Sequence, residues 1–161
     1  MSSGNAENFF HLCSTKLGVG SLIEPGNYGR IMRLYMADAN VGSAWKVAAE
    51  QTLELERIKH FGAKPSRFES SFAFLSRSDA LAQRGALGGN VCMLYEVELE
   101  NPEAPRHIGI FDLVSAAYRA HPEQPFLPRV EETARQYWSG QGEGTRELLT
   151  TSRLRIVSAL G

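Results

Sequence analysis

The sequence predicts an α+β fold, and three observations carry that prediction. The first is the run "VCMLYEVELE" (Val91–Glu100), where Val91, Met93, Tyr95, Val97 and Leu99 alternate with Glu96, Glu98 and Glu100. Period two over this length marks a half-buried strand with a solvated carboxylate face. The second is Ser43 to His60, where Trp45, Ala48, Ala49, Leu53 and Ile58 fall at helical spacing and Gly62 supplies a stop. The third is element order: strands and helices mix without a regular βαβ rhythm, against a doubly wound parallel sheet. The length of 161 residues suits one core. One domain is expected over 9–161, behind a flexible polar N-terminus, 1–8.

Along the chain, Phe9 to Ser14 reads as a short strand. "GVGSLIEPGNYG" reads as turns, because Gly, Pro and Asn supply special backbone angles. After the helix over 43–60, "ESSFAFLS" (Glu69–Ser76) is a predicted strand and "RSDALAQRG" a helix behind it, capped by Ser76 or Ser78. "FDLVSAAYRA" and "RVEETARQYW" read as two helices separated by the Pro-rich "HPEQPFLP". The flexible turn "SGQGEG" then leads to "TRELLTTSRLRIVSAL", two short strands or one bent strand.

Composition narrows the function classes. Hydrophobic residues make up 43% and charged residues 22%, both ordinary for a globular chain. A net charge of −1 disfavours broad nucleic-acid binding. No apolar run of about 18 residues suggests a membrane span, and "MSSGNAEN" lacks the pattern of a secretory signal, so a cytoplasmic location is expected. Cys13 and Cys92 read as reduced, half-buried thiols. His11, His60, His107 and His121 are too scattered to predict a metal site. "GVGSLI" offers Gly18 and Gly20, but Ile23 stands at the third glycine position and Pro25 breaks any following helix, so a dinucleotide fingerprint is rejected.

His11 and Glu147 stand out. His11 closes an aromatic pair on an apolar strand, and by itself it reads equally as a hydrogen-bonded core histidine. Glu147 by itself reads equally as a strand-edge charge. Both sit where a strand meets a Gly-rich or polar turn, a common place for ligand-facing side chains.

Their surroundings extend the pattern. "FFH" stands near the N-terminus; "SSFAF" leads into the Ser-started "SRSDALA"; Glu147 precedes the last apolar strand. This layout resembles the ADP-ribosyltransferases of the His-Tyr-Glu type, the diphtheria-toxin and poly(ADP-ribose) polymerase lineage. "FFHLCSTKLGVGSLIEPG" is similar to the first strand and turn of the small rifampin ADP-ribosyltransferases, and "ETARQYWSGQGEGTRELLTTSRLRIV" to other small bacterial members.

The resemblance implies a split antiparallel β-core with flanking helices. It implies a mono-ADP-ribosyltransferase that uses NAD as substrate, needs no metal, releases nicotinamide and modifies a macromolecular acceptor, protein or nucleic acid. A toxin or phage-defence effector is one setting, with an antitoxin as a possible partner and no membrane involved. His11 would donate to a ribose hydroxyl. The backbone at Leu12 and Cys13 would grip the carboxamide, with Leu12 where the family often has Gly. Phe72 would stack on nicotinamide in place of the family's Tyr, with Phe74 or Tyr95 as alternatives. Glu147 would stabilise the oxocarbenium-like ribose. Arg67 would meet the pyrophosphate or lie on the surface, and Asn27, Tyr28 and Arg30 would line the adenosine side or contact phosphate, with Tyr28 reading equally as packing. Glu143 lies on the preceding loop, and Thr145 stands where the arginine-modifying branch has its first Glu. Two alternatives remain within the fold: an NAD-dependent RNA 2′-phosphotransferase, and a non-catalytic member that binds a nucleotide or partner.

Overall fold

The computed structural model describes residues 6–35, 41–119 and 121–161. Its strands are β1 (Asn8–Cys13), β2 (Leu22–Ile23), β3 (Ser71–Phe74), β4 (Met93–Leu99), β5 (Arg106–Ile110), β6 (Arg146–Thr150) and β7 (Leu154–Ala159). Its helices are α1 (Asn27–Arg33), α2 (Val41–His60), α3 (Arg77–Gln83), α4 (Phe111–Ala117) and α5 (Phe126–Ser139). The fold is α+β: the strands form one antiparallel sheet in the order β2-β7-β4-β1-β3-β6-β5.

The sheet has a weak seam. β1 pairs with β4 over its whole length, from Asn8 opposite Glu98 to Cys13 opposite Met93. On its other side it meets β3 at a single position, Phe10 opposite Phe74. β3 in turn pairs fully with β6, from Ser71 opposite Thr150 to Phe74 opposite Glu147. Two laddered blocks therefore meet at one residue pair.

Alternation along the strands divides the apolar residues between the two faces. One face buries Phe9, Ala73, Tyr95, Val97, Leu148, Leu154 and Ile156, with Leu17 and Ile23 of the β1–α1 connection packed against them. On the other, Leu149 and Phe72 meet Leu53 of α2, Val114 of α4, and Ala134, Tyr137 and Trp138 of α5. The Trp138 indole N–H donates to the Leu53 carbonyl at 2.8 Å, which ties α5 to α2 without leaving a buried donor unpaired.

β4 follows the predicted alternation from Met93 onward; Val91 lies outside it and is exposed. Its carboxylates are not simply solvated. Glu96 accepts from Asn8 and Ser158, and Glu98 and Glu100 pair with arginines of the β7 segment. Ser76 rather than Ser78 caps α3, its hydroxyl accepting from the Asp79 N–H. The final segment is two strands, β6 and β7. α2 ends at His60, but Ile58 is exposed and outside its packed face. Cys13 is half-buried, whereas Cys92 is fully buried. Of the N-terminal stretch, 1–5 lies outside the described residues, while Glu7 pairs with Arg106 and Asn8 already belongs to β1.

Three elements were not predicted: β2, which lies in the stretch read as turns, β5 and α1. β5 (RHIGI) is short, and its His107 and Gly109 interrupt the apolar alternation. α1 grows out of the supposed turn: Gly26 takes a left-handed φ of 94°, and the helix starts at Asn27. α1 lies so close to the 3-10 turn Arg67–Glu69 that a Cβ at Gly29 would strike the Phe68 carbonyl. Among the described residues, no helix is long and apolar enough to cross a membrane.

Candidate functional site

Beyond the Phe10–Phe74 pair, β1 and β3 part, and a side chain replaces the missing ladder. His11 Nδ1 donates to the Phe72 carbonyl at 2.7 Å. The opened seam forms the floor of a cavity of about 490 Å³, a size typical of small-molecule sites. Phe10, Phe72, Phe74 and Phe111 give it an aromatic lining; His11, Tyr28, Lys46, Arg67, Tyr118, Arg119 and Glu147 bring polar groups.

Glu147 reaches the cavity through a fixed start to β6. Gly144 turns the chain at a φ of 135°. The Thr145 N–H then donates to Asp112 Oδ2 at 2.7 Å, and the Thr145 carbonyl accepts from the Phe111 N–H at 2.8 Å. Glu147 falls on the same sheet face as Leu149, directly opposite Phe74 on β3 and Gly109 on β5. It is 4% exposed. Its Oε1 accepts from Arg67 Nη1 at 2.6 Å and from the Tyr137 hydroxyl at 2.8 Å. Among the described residues, Oε2 takes no hydrogen bond, and Glu147 lines the cavity.

Arg67 is neither a surface arginine nor a free phosphate ligand, contrary to the expectation. It is buried, and its guanidinium is divided between two carboxylates, Glu147 and Glu50 of α2. Burial works against its charge, but Glu50, Tyr137 and Glu147 around it hold its pKa well above the ordinary value. Glu50 also accepts from the hydroxyls of Tyr28 and Tyr118. Burial pushes all three phenols upward, with Glu50 adding to the effect at Tyr28 and Tyr118, so they remain donors at neutral pH.

His11 is held as a neutral ring: burial lowers its pKa against the opposing pull of the Phe72 carbonyl. With Nδ1–H committed to that carbonyl, the remaining Nε2 is an acceptor. The expected donor role is therefore reversed.

The other predicted residues divide into two groups. Leu12, Tyr28, Phe72 and Phe74 line the cavity. Phe72 is half-buried, with the Arg67 guanidinium 5.0 Å from its ring centroid and Tyr28 at its edge. Phe74 is 5% exposed and packs with Ala80, Leu94 and Phe111. Cys13, Asn27 and Arg30 do not line it. The Cys13 thiol bonds to the Thr15 carbonyl, and Arg30 folds onto the Asn27 side chain at the surface. Tyr95 is wholly buried on the opposite face, its hydroxyl between Thr15 and Leu17. Glu143 is exposed on its loop.

Sequence reasoning missed Glu50, Tyr118, Tyr137, Lys46 and Arg119. Glu50 lies one residue beyond Ala49 on a helix rich in charge, so it reads as part of a solvated face. "YW" at Tyr137 and Trp138 was legible as a helix end but not as a site. Lys46 was hidden in the α2 pattern, yet its ammonium stands 5.6 Å from the Tyr28 ring and 5.4 Å from the Tyr118 ring.

A family model described as "Protein of unknown function (DUF2441)" matches residues 11–160. No curated protein matches the chain.

Proposed function

Since the chain belongs to the DUF2441 family, a family whose description assigns no function, we propose its activity from the cleft: an NAD-consuming mono-ADP-ribosyltransferase that modifies a macromolecular acceptor. One observation carries the reading. His11, Phe72 and Glu147, far apart in sequence, stand on the neighbouring strands β1, β3 and β6 and line one cavity. These are the residues that the resemblance to His-Tyr-Glu ADP-ribosyltransferases singles out. The near-separation of the sheet at Phe10 and Phe74 also suits the split core implied by that resemblance.

In this reading NAD+ lies along the seam. The nicotinamide ring stacks on Phe72, whose ring is less enclosed than that of Phe74. His11 Nε2 accepts from a ribose hydroxyl. Glu147 Oε2 accepts from the neighbouring 2′-hydroxyl and faces the positive charge that grows at C1′ as the bond to nicotinamide breaks. Nicotinamide leaves with the bonding electron pair as a neutral molecule, so no general acid is required. The acceptor's nucleophile then bonds to C1′ and loses its proton. Lys46 and Arg119 supply the positive charge for the pyrophosphate, the part first expected of Arg67.

The test is incubation of labelled NAD+ with the purified protein and a bacterial lysate, with label followed into protein and nucleic-acid fractions. Wild type releases nicotinamide and labels one fraction, which names the acceptor class. Glu147→Gln stays folded and loses both signals. Equal labelling by the variant sinks the assignment.

A further inference from the structure

We propose that Glu50 is a positioning and charge-balancing residue for Glu147, acting through Arg67; this rests on the functional reading of Glu147 above. Glu50 is 1% exposed, and burial of a carboxylate is costly without several partners. Arg67 Nε meets its Oε2 at 3.0 Å and Nη2 its Oε1 at 3.1 Å, a two-point grip that fixes the guanidinium plane. Tyr28 from α1 and Tyr118 from just beyond α4 hold the same carboxylate. The one guanidinium nitrogen left over, Nη1, is the nitrogen that binds Glu147 Oε1. Glu50 thus sets the orientation of Arg67, and Arg67 sets which oxygen of Glu147 is engaged and which faces the cavity.

Charge gives the arrangement its chemical sense. An arginine paired with Glu147 alone would cancel the negative charge that a positively charged ribose needs. Two carboxylates sharing one guanidinium leave the cluster with a formal charge of −1. In a buried setting this charge is poorly screened and acts across the cluster. Glu50 returns the negative charge that Arg67 removes, while Arg67 keeps Glu147 in place.

The decisive comparison is Glu50→Gln against Glu50→Asp, with kcat for nicotinamide release and KM for NAD+ measured on the full chain. Gln keeps the shape and loses the charge; Asp keeps the charge and shortens the side chain. The charge role predicts that Gln lowers kcat by about 10- to 100-fold with KM changed by less than about twofold, and that Asp keeps kcat within about fivefold. A packing role predicts the reverse order, and that result overturns the proposal, as does an unchanged kcat in Glu50→Gln. If Glu50→Gln fails to fold, Arg67→Lys tests the positioning part alone, because it keeps the charge of −1 and loses the two-point grip: kcat falls with KM unchanged, and an unchanged kcat overturns positioning through Arg67.

Wild-type protein that releases no nicotinamide overturns the functional reading and the catalytic role with it. Unfolding measurements then judge the linkage alone. Glu50→Gln and Glu147→Gln are non-additive in stability if Arg67 couples them, and additive stabilities overturn the coupling.

Discussion

Tyr137 fills the space that a side chain at Gly109 would need. A Cβ built at Gly109 would stand 2.6 Å from Tyr137 Cζ, and the hydroxyl on that carbon donates to Glu147. The glycine lies directly opposite Glu147 on the ladder, so a missing side chain on β5 lets a helix side chain reach a strand carboxylate. Gly109→Ala is expected to displace the ring, cost about 1–3 kcal/mol of stability, and lower nicotinamide release about tenfold or more. Denaturant unfolding and kcat measurements check both effects. Full activity in the variant would separate Tyr137 from the site.

His11→Ala removes the acceptor at Nε2 and the side-chain bond that spans the seam. About a tenfold rise in KM for NAD+ is expected, the size of one hydrogen bond lost to a ligand. Because burial holds the ring's pKa below 6.5, the wild-type KM stays flat through neutral pH and rises only at lower pH, as the ring protonates and Nε2 becomes a donor. A KM that instead improves on acidification would restore the donor role.

Phe72 and Phe74 share a strand face but differ in what they support. Phe72→Ala is expected to weaken NAD+ binding about tenfold or more, because a stacking surface is lost. Phe74→Ala is expected to cost about 3–5 kcal/mol of stability, because it opens a hole among Ala80, Leu94 and Phe111. Calorimetric titration with NAD+ and thermal unfolding of the two variants distinguish the roles. Binding lost only in Phe74→Ala would move the stacking surface to that ring.

Lys46→Ala and Arg119→Ala are each expected to raise KM for NAD+ by about three- to tenfold without changing kcat. Both side chains line the cavity and neither contacts Glu147. The effects should shrink as ionic strength rises, since the charges stand near solvent. A drop in kcat at constant KM would contradict this assignment.

His107 predicts the acid limit of the fold. Burial first, with Lys64 and Arg67 nearby, pushes its imidazole down to about 4 against the opposing pull of the Tyr137 carbonyl. The Lys64 ammonium donates to Nδ1 at 3.1 Å, and Nε2–H donates to the Tyr137 carbonyl at 3.0 Å. The folded ring takes up a proton later than the unfolded one, whose ordinary value is 6.5. Its stabilising contribution is therefore complete above pH 6.5 and is lost as pH falls toward 4. The loss is on the order of 2 kcal/mol, with solvent screening allowed for. Melting curves from pH 7 to pH 4 should show a smaller acid loss in His107→Gln than in wild type.

β4 and α2 were legible because their apolar residues repeat at two and at helical spacing over long runs. β1, β3 and β6 were legible as strands, and His11, Phe72 and Glu147 stood out through a family resemblance rather than through spacing. Periodicity cannot show that three strands become neighbours. α1 escaped because its residues carry turn signals, and β5 because His107 and Gly109 break a five-residue pattern. Arg67 was misjudged for a different reason. A sequence displays a charge but not its counter-charges, and those of Arg67 lie 17 residues before it and 80 after it. The buried ion cluster is therefore a tertiary property with no local trace.

The single junction of Phe10 and Phe74 makes the middle of the sheet behave as a spine between two boards. Each board keeps its own backbone ladder, so beyond that one junction their spacing is set by the side chains along the spine. Groove width can consequently change through substitutions at His11, Leu12 or Phe72 while both ladders stay whole. Within a family sharing this architecture, the shape of the bound molecule is free to diverge while the scaffold stays constant.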